Sequence, residues 1–140
     1  MNKPLHMHIV HGSHLDLYWM GEQAACLALG AKNIDAAVTR ASADPSHHFF
    51  IETVRFLEYY LLRYPHRKQV LKQLIEAGNI EVGACYSDRE ENAHDGESLV
   101  RNAVYGNLKL MRQTLSTEQY AKYAALMNIT LMNKGIELNK

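Results

Sequence analysis

Apolar and polar positions along the chain change their period several times, and each change marks an element. The opening stretch runs apolar to Val10 and is broken by Gly12 and Ser13, which reads as a first strand ending in a turn. From Glu22 to about Ala43 the chain is rich in Ala, with Leu27, Ile34, Ala37 and Val38 at partial helical spacing and Asp44-Pro45 as a stop. That pattern predicts a helix, which Gly30 could divide into two shorter pieces. Phe49 to Val54 is aromatic and β-branched and predicts a second strand with Glu52 near its end. Phe56, Leu57, Tyr60 and Leu61 form an apolar stripe in an amphipathic segment from Arg55 to Tyr64, interrupted or restarted at Pro65. Val70, Leu71, Leu74 and Ile75 predict a helix between Pro65 and Ala77 with Gly78 as its C-terminal cap. A third strand follows over Asn79 to Gly83.

Asp95 is placed to cap a further helix, with Glu97 favourable in its first turn because a negative charge meets the positive end of the helix dipole. Leu99, Val100, Ala103, Val104, Leu110 and Met111 are its expected buried face. Ser116 to Tyr123 reads as a loop or short helix, and Leu126 to Ile136 as a strand followed by a turn. The order β, α, β, α, α, β is that of right-handed crossover units on a parallel sheet, so the fold class is α/β.

Length and composition narrow the picture. A chain of 140 residues is one domain with a real core, yet small for a complete α/β barrel. Apolar content of 47% and charged content of 21% belong to an ordered globular protein. Fifteen basic and fifteen acidic residues balance, and no stretch concentrates Lys and Arg, so no nucleic-acid partner is expected. No run reaches the length of a membrane span and no apolar leader precedes the first strand, so no membrane partner and a cytoplasmic location are expected. Cys26 and Cys85 fit no metal spacing and are expected to be reduced and buried. A parallel sheet of only three or four strands leaves an unpaired edge and apolar helix faces, which favours self-association into a homo-oligomer.

The chemistry gathers at two places. His14 and Asp16 stand two apart after the first strand, so in extended chain one imidazole and one carboxylate point to the same side and could share one cation. Trp19 follows and offers an indole face on which a sugar ring could stack. His6, His8 and His11 lie close to His14, which leaves open a non-catalytic metal-binding or interaction module built on imidazoles. The second place is the acidic stretch of Asp88, Arg89, Glu90, Glu91 and Asp95, with His94 inside it; on residue type alone it reads as a solvated loop.

Both places carry a resemblance. His11-Gly12-Ser13-His14-Leu15-Asp16-Leu17-Tyr18-Trp19 resembles the H-S-H-x-D-x-x-W motif of the family 38 glycoside hydrolases, the retaining α-mannosidases, with Gly12 as an extra residue. Gly96-Glu97-Ser98-Leu99-Val100-Arg101-Asn102 matches that family's G-E-S-L-x-R-N element at every position. The resemblance covers roughly residues 6 to 112; residues 1–113 read as the N-terminal part of the catalytic domain and 114–140 as a poorly matched tail. It implies the N-terminal portion of a seven-stranded parallel β/α barrel, and a carbohydrate substrate, an α-mannoside.

By position it implies Zn2+ bound by His14, Asp16 and Glu90, with Trp19 against the sugar. The family's Asp, at once zinc ligand and nucleophile, aligns with Glu90 by spacing, while Asp88 is the right residue type two positions earlier, so either is a candidate nucleophile. Tyr86 is expected to line the site or to pack under the loop, and Arg101 to orient or balance the carboxylate. The family's general acid and fourth zinc ligand have no counterpart by motif, so an amino-terminal fragment or a degenerate product, inactive alone, is expected. A metal-dependent carbohydrate deacetylase also starts from an H-x-D-like pair, but the G-E-S-L-x-R-N element disfavours it.

Overall fold

The computed structural model describes residues 7, 9–17, 19, 21–88 and 95–114, with side chains to residue 110. Three short strands, β1 (His11–Gly12), β2 (Phe49–Ile51) and β3 (Ile80–Val82), form a parallel sheet in the order β1-β2-β3. His11 pairs with Phe49, and Phe49 with Ile80. Helix α1 (Gln23–Ala43) links β1 to β2. Helix α2 (Val54–Arg63), a 3₁₀ turn (Pro65–Arg67) and helix α3 (Lys68–Glu76) link β2 to β3, and α4 (Gly96–Thr114) follows. The small parallel sheet with crossover helices agrees with the α/β expectation.

Strand order follows chain order, and in such a parallel sheet the usual right-handed crossovers put the helices on one face. Phe49 and Ile51 point into that face and are buried, while Phe50 between them points to the other and is exposed. The core is continuous from Leu27, Ile34 and Val38 of α1 through Leu57 and Tyr60 of α2 to Leu71 and Ile80. Burying side chains of this size contributes roughly 1.5–3 kcal/mol each.

Several boundaries differ from the sequence reading, each for a visible reason. The first strand forms at His11–Gly12, after the apolar run, because its partner β2 begins only at Phe49; Ile9 and Val10 are exposed. Helix α1 is unbroken at Gly30, which is a contact point: a Cβ there would collide with the ring of Phe56. The second strand stops at Ile51, because the amides of Val54 and Arg55 already begin α2, donating to the carbonyls of Cys85 and Tyr86. At the end of α3, Asn79 N–H donates to Leu74 and Gly78 N–H to Ile75, with Gly78 at φ 79°, a Schellman cap as expected.

Asp95 caps α4 as expected, accepting from the amide of Ser98 at 2.7 Å, and that bond holds its carboxyl below the usual range. The expected buried face of α4 holds in part: Leu110 packs against the core and Leu99, Ala103 and Val104 are half-buried, while the side chain of Met111 lies outside the described residues. Val100 is exposed, and the buried positions are Asn102 and Gly106, because α4 packs against the chain after β3 rather than on the apolar core alone. Cys26 is buried and free as expected; Cys85 is free but exposed, since its loop turns the backbone, not the thiol, inward to α2.

After β3, the amide of Gly83 donates to Ile51, and Gly83 lies flat against the peptide of Glu52. No helix among the described residues is long and apolar enough to cross a membrane. The readings of Ser116 to Tyr123 and Leu126 to Ile136 lie outside the described residues.

Candidate functional site

Each strand delivers an ionisable side chain at its carboxyl end, the end where parallel α/β folds place their ligands. Beyond β1 the chain stays extended, so Leu15 turns inward and is buried while His14 and Asp16 face out together. Their side chains meet as the i, i+2 spacing predicts, with His14 Nε2 3.1 Å from Asp16 Oδ1. The thiol of Cys26 donates to the carbonyl of Asp16, and Asn33 donates to the hydroxyl of Ser13, so α1 anchors this segment from behind.

Beyond β2, Glu52 reaches the same imidazole, with Oε1 2.7 Å from His14 Nδ1. Beyond β3, Asp88 closes the group, with Oδ2 4.0 Å from His14 Nδ1. The loop that carries Asp88 is fixed by Asn102 of α4. Its side-chain oxygen accepts from the amide of Ser87 at 3.0 Å and its nitrogen donates to the carbonyl of Ser87 at 2.8 Å.

One imidazole therefore faces three carboxylates. The hydrogen bond and charge of Glu52 raise the His14 pKa above its ordinary value, against a smaller opposing effect of burial, and Asp16 and Asp88 add to the rise. So much acidity around one ring favours a bound cation. One donor atom from each of His14, Asp16 and Asp88 lies within 4.8 Å of the others. Donors bound at about 2.0–2.2 Å to one tetrahedral ion stand about 3.3–3.6 Å apart, so this nitrogen and oxygen set fits a zinc-sized ion after a small contraction.

A cleft of about 490 Å³ opens beside this group, lined by Asp16, Asp88, Arg55, Tyr86, Thr53 and Gln23 among others. Tyr86 is among the residues that line it. Its hydroxyl donates to Glu58 at 2.9 Å and accepts from Arg55 at 2.8 Å, and burial raises its pKa. Lys109 of α4 also donates to Glu58, at 3.0 Å. Trp19 stands 87% exposed and is not among the residues that line the cleft. Arg101 donates to Glu97 one turn earlier on α4, at 2.6 Å. Glu90, His94, His6 and His8 lie outside the described residues. His11 stacks on His47 at 5.2 Å, a partner the grouping with His14 did not foresee.

Sequence reasoning missed two residues of this arrangement. Glu52 was legible as an acid closing an apolar strand, the position at which these sheets present chemistry. Asn102 was legible as a short polar side chain within an amphipathic helix, a position that needs a specific partner when buried.

Comparisons with known proteins bear on the fold and the family. The model of the glycosyl hydrolases family 38 N-terminal domain matches residues 4–124. Among solved structures, an alpha-mannosidase from Enterococcus faecalis V583 is 24% identical with a TM-score of 0.66, over 74% of this chain and 12% of that one. A protein in the glycosyl hydrolase family 38 from Enterococcus faecalis is 23% identical with a TM-score of 0.63, over 77% of this chain and 13% of its own. No curated protein matches. The chain thus spans about an eighth of those structures and shares their fold over that part. It belongs to the glycosyl hydrolases family 38, through the family's N-terminal domain.

Proposed function

We propose that this chain carries the metal-binding and nucleophile half of a zinc-dependent retaining α-mannosidase, on the first strands of a parallel β/α barrel. The observation that carries the reading is the convergence of His14, Asp16 and Asp88 from two strand ends. Family membership supports glycosidase chemistry, and the resemblance of one solved neighbour named an alpha-mannosidase supports the sugar. The barrel is supported by helices on one face of the sheet and by the open face at Phe50.

His14, Asp16 and Asp88 would hold Zn2+, which when bound supplies positive charge to draw sugar hydroxyl oxygens and favour a distorted ring. Asp88, at the mouth of the cleft, would attack the anomeric carbon as the bond to the leaving oxygen breaks; water then releases the sugar with retained configuration. Glu90 is the alternative third ligand and nucleophile. Tyr86 lines the sugar cleft, Trp19 approaches the sugar from its rim, and Arg101 balances the acidic loop. The leaving oxygen needs a proton from a second carboxylic acid about 5 Å from the first. No residue is assigned to that step, so the 140-residue chain is proposed to bind metal without turning over substrate.

Titration of Zn2+ into the chain and into His14→Ala, Asp16→Ala and Asp88→Ala variants tests this. One ion per chain is expected, with at least a tenfold loss for the first two, on the order of what ligand removal does. A loss with Asp88→Ala assigns the third ligand to Asp88, and its retention there with a loss in Glu90→Ala assigns it to Glu90. Binding untouched by Asp16→Ala and abolished by His8→Ala would overturn the reading in favour of the amino-terminal imidazoles.

A further inference from the structure

We infer that Glu52 is a positioning residue for the cation site: its carboxylate keeps the proton of His14 on Nδ1 and so turns the Nε2 lone pair toward Asp16. The inference rests on the metal-site reading and adds a residue to it.

A neutral imidazole has one N–H and one lone pair, and a carboxylate can only accept. With Glu52 Oε1 2.7 Å from Nδ1, the shared proton belongs on that nitrogen. The bare Nε2 then faces Asp16 Oδ1 at 3.1 Å, two acceptors that a cation between them would reconcile. A ligating histidine is commonly held this way, by a carboxylate on its far nitrogen that fixes tautomer and ring direction. Exposure separates the roles. The side chains of His14, Asp16 and Asp88 are 59%, 44% and 52% exposed, whereas Glu52 is 27% exposed and makes the short bond to Nδ1. Its attachment next to Ile51, in the middle strand, also makes it the most firmly placed of the acids.

Two measurements on the 140-residue chain decide it. Nitrogen-15 correlation spectra of metal-free protein, recorded where the imidazole is neutral, should show His14 with its proton on Nδ1. Glu52→Gln, whose amide oxygen still accepts, should keep that tautomer, and Glu52→Ala should move the proton to Nε2. Zinc affinity should fall by about 10–100-fold in Glu52→Ala and by less in Glu52→Gln. A proton on Nε2 in the unsubstituted chain, or Glu52→Ala binding zinc as tightly as the parent, would overturn the assignment. Failure of the parent to take up zinc would instead remove the metal-site reading, and the metal-free tautomer would still decide what Glu52 does. Glu52→Gln, close to isosteric, keeps the test valid should Glu52→Ala unfold.

Discussion

Helix α2 is gripped on two sides by contacts of opposite character. Toward α1 it presents Phe56 against Gly30 and Leu57 and Tyr60 to the apolar core. Toward α4 it presents Glu58, which accepts from Lys109 and from Tyr86, while Tyr86 and Tyr105 meet edge to face at 4.8 Å. The dry contact secures the strands that carry His14, Asp16 and Glu52. The polar contact secures the loop that carries Asp88. The candidate site therefore joins a part fixed by packing to a part whose docking depends on charge, and the two should come loose under different conditions.

The sharpest way to break the first contact is Leu57→Ala, which empties a fully buried position and should cost about 2–5 kcal/mol, read as a lower urea midpoint for the whole domain. Gly30→Ala is a finer probe. Helix propensity favours Ala by about 0.8–1.0 kcal/mol, but crowding the buried Phe56 ring should cost about 1–3, so a net loss near 1 kcal/mol is expected in the same measurement.

The contact with α4 should respond to mild acid. Burial pushes the Glu58 carboxyl up, but its hydrogen bonds from Lys109 and Tyr86 win and leave its pKa below the ordinary 4.5. A lowered folded-state pKa gives a contribution that is full above 4.5 and lost as pH falls through the lowered value. Amides of α4 should thus lose hydrogen-exchange protection in acid before those of α1. Lys109→Met should produce the same early opening at neutral pH for under about 1 kcal/mol, since both groups remain partly solvated. The smallest effect on stability belongs to Asp16→Asn, within about 0.5 kcal/mol by urea unfolding, with zinc uptake cut sharply.

The division also shows what a sequence displays. Periodicity found α1, α2, α3, β2 and β3 because each buries apolar positions, whereas β1 is exposed and lies past the apolar run that pointed to it; the His14–Asp16 pair was legible because extended chain has a fixed period. It missed that Gly30 is a contact and not a break, because Phe56 lies 26 positions further along the chain and only tertiary packing brings it there. Val100 was read as buried on apolarity, while Asn102 takes the inner position because Ser87 offers it a backbone donor and acceptor. The candidate site was readable ligand by ligand within one segment; the meeting of His14 with Glu52, 38 positions away, needed the sheet register.

Gly83 has no functional group, yet the chemistry leans on it. Because it rests on the Glu52 peptide, a single added methyl would have to push that carbonyl aside, and with it the carboxylate hydrogen-bonded to the His14 ring. A Gly83→Ala variant would keep all three proposed zinc ligands and still misalign them. A survey of this protein's variants by ligand identity alone would score such a chain as intact.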